Sequence, residues 1–93
     1  GYSIFNEGSI RDYQMRTHQW TIGKNFDRSG SFGPAFVTAD ELPSGASGLR
    51  IQTRLNGVVM QDASTKDMIF SVARLIALCS EVFALMPGDI IIS

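Results

Sequence analysis

The chain has 93 residues, 44% of them apolar, and a formal net charge of −1. A length of this order holds one domain or part of one, with a core that is only marginally large enough. The near-neutral charge excludes a general electrostatic attraction to nucleic acid or to an anionic membrane, and the single cysteine, Cys79, excludes a disulfide framework and a cysteine-based zinc site.

No basic-then-apolar leader pattern opens the chain. Its longest apolar stretches, around Ile76 and Ile90, are too short to span a bilayer. The expectation is a soluble protein of a reducing, cytoplasmic compartment, with neither nucleic acid nor membrane as a partner.

Gly1–Phe5 reads as a short strand, and Ser9 is placed to cap a helical turn over Ile10–Met15. Residues 23–34 are rich in Gly, Ser, Asn and Asp and end in Gly33-Pro34, which is loop and turn chemistry. Phe36–Thr38 reads as a brief strand, Ala39–Leu42 as a turn or short helix, and Ser44–Gly48 as a flexible connection. Leu49, Ile51, Thr53 and Leu55 alternate with Arg50, Gln52 and Arg54, the period of a half-buried strand. Asn56-Gly57 favours a type I′ turn, so Val58–Gln61 is expected to return as the second strand of a hairpin. Ser64-x-x-Asp67 has the spacing of a capping box. Val72, Leu75, Ile76, Cys79, Val82, Phe83 and Met86 recur at helical spacing after Ser71, which predicts a capped amphipathic helix packed on a core and stopped by Pro87-Gly88-Asp89. Ile90–Ile92 reads as a buried strand. The fold class expected is mixed α+β, β-rich, with one amphipathic helix near the C-terminus.

The densest chemistry lies in residues 6–27. Glu7 is a carboxylate beside a strand, a position that a sheet can fix for metal ligation. Arg11 and Gln14 are three apart and share a face if the turn is helical. Arg11 can then grip a substrate carboxylate while Gln14 reads a neighbouring oxygen. Lys24 stands on a loop beside a glycine that permits close approach to a ligand. A carboxylate, a guanidinium, an amide and an ammonium suit a small anion held against a divalent cation. From spacing alone a second reading stays open, a solvated loop with an Arg–Asp surface pair.

Other polar residues have plainer readings. Asp27 and Asp67 suit turn-ordering or capping, and His18 has no fixed partner visible in the sequence. Ser29, Ser31 and Ser64 lack a nucleophile motif. Gly30-Ser31-Phe32-Gly33 precedes Pro34 rather than a helix, so it is not a phosphate loop.

Several segments in one order resemble the fumarylacetoacetate hydrolase family. They are Asn6-Glu7-Gly8-Ser9-Ile10-Arg11-Asp12-Tyr13-Gln14, Gly23-Lys24-Asn25-Phe26-Asp27, Phe32–Leu42, the hairpin with Asn56-Gly57 and Gln61, Thr65–Phe70, and Leu85–Ile91. The resemblance covers nearly the whole chain and favours the site reading of the Glu7–Lys24 cluster. It implies part of a fumarylacetoacetate hydrolase-type catalytic domain over residues 1–93. It also implies Mg²⁺ or Mn²⁺, a commonly homodimeric assembly, and a small anionic 2-oxo or 1,3-diketo acid as substrate. The activity implied is C–C bond hydrolysis of acylpyruvate-like compounds through an enolate. The alternatives are isomerisation or decarboxylation of ring-fission products of aromatic catabolism, or a degenerate non-catalytic relative.

By position, Glu7 falls on the family's metal-binding Asp, Arg11 and Gln14 on substrate-contacting and catalytic positions, and Lys24 on the lysine beside metal and substrate oxygens. Glu in place of Asp shifts the carboxylate by roughly an ångström, and Mg²⁺ is strict about geometry. Arg28 stands where members often carry Thr or Gly. The family's upstream Glu-x-Glu ligand pair, its general-base His and its later Gly-Thr-Pro-type loop have no counterpart here. The 93 residues alone are therefore expected to be inactive.

Overall fold

Two short antiparallel strand pairs and one main helix carry the backbone, a mixed α+β arrangement. The computed structural model describes residues 1–93, in two units, Gly1–Val37 and Thr38–Ser93.

In the first unit, β1 (Phe5–Glu7) pairs with β2 (Gly30–Phe32), aligning Phe5 with Phe32 and Glu7 with Gly30. The strand expected over Gly1–Phe5 thus lies further on. Before it, only Tyr2 forms a bridge, to Val37. Val37 is likewise the one residue of the strand expected over Phe36–Thr38 that is so paired. A hydrogen-bonded neighbour sets strand limits, and β2 itself arises within the stretch read as loop. Helix α1 (Arg11–Gln14) starts after Ile10, whose extended backbone makes it the N-cap. No side chain caps this turn, so Ser9 does not have the capping role its position suggested. A 3₁₀ turn spans Trp20–Lys24, and Asn25 Nδ2 donates to the Thr21 carbonyl (3.0 Å) near its end. Tyr13 meets Phe26 edge-on with ring centroids 4.8 Å apart, and the Arg16 guanidinium lies 4.0 Å above the Tyr13 ring. These contacts tie α1 to the loop after Lys24.

In the second unit, 3₁₀ turns at Ala39–Glu41 and Ser44–Ala46 precede the hairpin, so the connection read as flexible contains a defined turn. The hairpin consists of β3 (Arg50–Leu55) and β4 (Val58–Ser64), closed by Asn56 (φ 50°) and Gly57 (φ 83°). Both turn residues lie in the left-handed region that a type I′ turn requires. A bulge at Thr53/Arg54 shifts the register. At the base, Thr65 Oγ1 donates to the Ala46 carbonyl (2.5 Å) and accepts from Leu49 N–H (2.9 Å). Ser64 accepts from the Lys66 N–H as it starts the 3₁₀ turn Thr65–Asp67.

Helix α2 (Val72–Val82) begins where expected, with Ser71 Oγ accepting from Arg74 N–H (3.2 Å). It ends sooner than the apolar stripe predicted: Phe83 is extended, and Met86 N–H is committed to Asp89 Oδ2 (2.8 Å). That bond removes Met86 from the helical ladder. The expectation of a stripe buried in a core is also corrected, since Ile76, Val82, Phe83 and Met86 are exposed. Ile90–Ile92 forms no ladder and is exposed, contrary to the buried strand expected, because no neighbouring strand pairs with it. No helix is long and apolar enough to cross a membrane.

Candidate functional site

Glu7 is the last residue of β1, and the chain leaves the sheet there through Gly8. The Gly8 N–H donates to the Ser29 carbonyl (3.1 Å), and a Cβ at Gly8 would lie 2.3 Å from that oxygen. Only glycine permits this approach, which anchors the exit from β1 on the β2 side. Two residues later, Ile10 N–H donates to the Gly23 carbonyl (2.8 Å). This bond fastens the start of α1 to the 3₁₀ turn whose last residue is Lys24.

The lysine reaches back across that junction. Lys24 Nζ donates to Glu7 Oε2 (2.5 Å) and to Ser9 Oγ (3.1 Å). Its side chain is 28% exposed and that of Glu7 47%, so water screens the ion pair, and it contributes chiefly position rather than stability. On the neighbouring turn, Arg11 Nη1 donates to Gln14 Oε1 (2.5 Å), the same-face pairing that their spacing predicted. A guanidinium has only donors, so it must meet the amide oxygen. The Gln14 amide nitrogen therefore points away from Arg11 as a donor group. Gln14 is 3% exposed, yet none of its buried polar atoms lacks a partner.

The structure thus brings Glu7, at the end of β1, to Lys24, at the end of the 3₁₀ turn, and pairs Arg11 with Gln14 on α1. One expectation changes. The glycine beside Lys24 permits close approach not to a ligand but to Gln14, which takes the space at Gly23. A Cβ at Gly23 would lie 2.5 Å from Gln14 Cβ and 2.7 Å from its backbone nitrogen. Ser9 is the member that sequence reasoning missed as a site residue. Its place before the turn suits helix capping in the sequence, whereas its hydroxyl accepts from Lys24 instead. Asp27, Arg28 and His18 are exposed and make no side-chain hydrogen bond to the cluster, and Arg28 adopts φ 60°.

Glu7 is a hard oxygen donor, and its Oε1 makes no protein hydrogen bond, so it fits one ligand position of Mg²⁺ or Mn²⁺. No group of three or more His, Cys, Asp or Glu side chains gathers anywhere in the structure to hold a metal. The residues present therefore fit one ligand, not a complete metal centre.

The family model for the fumarylacetoacetate (FAA) hydrolase C-terminal region matches residues 1–93. Over 94 residues the chain is 39% identical to the rat protein named oxaloacetate tautomerase Fahd2a, mitochondrial, covering 100% of this chain and 30% of that protein. It is 42% identical over 92 residues to a putative hydrolase of Burkholderia multivorans, covering 98% of this chain and 32% of that protein. It is also 37% identical over 100 residues to the Dictyostelium discoideum fumarylacetoacetate hydrolase domain-containing protein 2 homolog, covering 98% of this chain and 33% of that protein. The chain spans about a third of the length of the curated relatives it matches. No solved structure matches it. With a family match along its whole length, the chain belongs to the fumarylacetoacetate hydrolase family.

Proposed function

We propose that the protein is a divalent-metal-dependent enzyme acting on small 2-oxo or 1,3-diketo acids through an enolate, with hydrolysis of a C–C bond as the outcome. One observation carries this reading: Lys24 Nζ is held between Glu7 and Ser9 while Arg11 and Gln14 pair on the adjoining turn. A guanidinium and an ammonium so placed can hold the two ends of a short anion, a carboxylate at one and a 2-oxo group at the other.

Arg11 binds the carboxylate, and Gln14 turns its amide donors toward a neighbouring oxygen. Gln14 also holds Arg11 in register by accepting its Nη1 proton. Lys24 supplies positive charge where the enolate oxygen develops, an interaction that strengthens as the reaction proceeds. Mg²⁺ or Mn²⁺, held by Glu7 together with ligands from outside these residues, would polarise the 2-oxo group. Residues 1–93 are then a partial catalytic domain, and the protein works as a homodimer in the cytoplasm.

A second reading, keto–enol tautomerisation of a 2-oxo acid on the same groups, is favoured by the name of the rat relative. The two readings share the enolate and differ in whether a carbon–carbon bond breaks or only a proton moves. The test uses the intact protein with Mg²⁺ or Mn²⁺ and a panel of acylpyruvates and oxaloacetate. Pyruvate release from an acylpyruvate supports hydrolysis. Loss of the enol absorbance of oxaloacetate without carbon–carbon cleavage supports tautomerisation. In either case Lys24→Met is expected to lower kcat by about a hundredfold, and Arg11→Ala to act mainly through KM. An intact protein that turns over no member of the panel with either metal overturns both readings.

A further inference from the structure

We propose that Ser9 is a positioning residue that orients the Lys24 ammonium, an inference that rests on the functional reading above. An ammonium carries three donors on a freely turning head, and a lysine with a single partner acts as a point charge. Lys24 has two partners on different atoms, Glu7 Oε2 at 2.5 Å and Ser9 Oγ at 3.1 Å. In a tetrahedral head, fixing two N–H directions fixes the third. That third N–H is the one not donated to the protein, so Ser9 converts Lys24 from a rotating charge into an aimed donor.

The hydroxyl is available for this work. It takes no part in capping α1, whose N-cap is Ile10 without a side-chain bond. Its own proton points toward the Glu7 carbonyl at a long 3.5 Å. So weak a use of its proton leaves the oxygen free to accept from Lys24 at 3.1 Å. Ser9 is also half-buried in the junction between β1 and α1.

An aimed donor contributes most to the charge that develops late, so removing the hydroxyl should lower kcat and leave KM nearly unchanged. In the intact protein, Ser9→Ala is expected to reduce kcat by about tenfold with KM within about twofold, and Ser9→Thr, which keeps the hydroxyl, is expected to restore kcat. Amine labelling with acetic anhydride, read by peptide mass spectrometry, provides a measurement independent of turnover. Lys24 in Ser9→Ala should label at least about twofold faster relative to exposed Lys66, and Ser9→Thr should return it to the wild-type ratio.

Unchanged Lys24 labelling in Ser9→Ala overturns the proposal. So does increased labelling with unchanged kcat, which would show that the orientation is not used. A fall in thermal midpoint with unchanged turnover per folded molecule assigns Ser9 a structural role and overturns it as well. A wild-type protein inactive on the whole 2-oxo acid panel removes the functional reading, and the role of Ser9 in turnover with it. Labelling then decides separately whether the hydroxyl holds Lys24.

Discussion

Gly23 and Gln14 occupy each other's space, and this contact decides how the site is built. A methyl group on Gly23 would come within 2.5 Å of Gln14 Cβ and 2.7 Å of its Cα and backbone nitrogen. Two of those neighbours are backbone atoms, which cannot swing aside as a flexible side chain would. The 3₁₀ turn would therefore have to retreat, loosening the Ile10–Gly23 bond that brings Lys24 toward Glu7. Gly23→Ala is expected to destabilise the intact protein by about 1–3 kcal/mol and to lower turnover along with stability, checked by urea denaturation beside the activity assay. A variant as stable and active as the wild type would show that the turn accommodates the methyl. Glu7, Arg11, Gln14 and Lys24 are named as candidates from their family motifs, and the i, i+3 spacing of Arg11 and Gln14 makes their shared face legible. The sequence misleads on Ser9 and Gly23 because the partners of both lie on other turns, and no local pattern names them.

At the scale of the element, the hairpin carries a polar ladder on one face. The Arg50 guanidinium bonds both Asp62 oxygens, with Nε at 2.8 Å from Oδ1 and Nη2 on Oδ2. Gln52 Nε2 adds to the same carboxylate (3.2 Å), and Arg54 Nε donates to Gln52 Oε1 (2.6 Å). Hydrogen bonding from Arg50 lowers the Asp62 pKa below its ordinary value, with Gln52 and the Arg50 charge adding to the effect. A carboxyl that titrates lower folded than unfolded stabilises the fold at pH above its unfolded pKa. That contribution is lost as pH falls through the folded value. Asp62 is solvent-exposed, so the effect is expected to be small and weakened by salt. In an NMR pH titration, Asp62 should titrate below an unpaired aspartate and return toward the ordinary value in Arg50→Met. An unchanged midpoint in that variant would show that the guanidinium is not the cause. The hairpin was legible because its cues are nearest-neighbour ones, an alternating strand and Asn56-Gly57. The bulge at Thr53/Arg54 left no such mark.

At the scale of the whole molecule, burial is the limiting quantity. Ala46, 8% exposed, is the one buried apolar side chain, and Ile51, Leu55, Val58, Val59 and Met60 of the hairpin and Ile76 and Val82 of α2 remain exposed. Hydrophobic burial is the main term opposing conformational entropy, and so little of it cannot hold a cooperative fold. A polypeptide of residues 1–93 is therefore expected to melt without a cooperative calorimetric transition and to bind a hydrophobic dye. The same polypeptide should show no Mg²⁺-dependent turnover of 2-oxo acids, since Glu7 supplies only one ligand. A sharp transition or measurable turnover would refute this. The sequence by itself determined the family resemblance, the hairpin with its turn and the start of α2, because each is written in motif order, spacing and local conformational preference. Only the tertiary structure decided that Ile90–Ile92 stays unpaired, that Gly23 serves Gln14, and that Ser9 faces Lys24. Those outcomes depend on which groups from distant parts of the chain meet, and hydrogen-bond partners and buried neighbours become definite only when the backbone has closed.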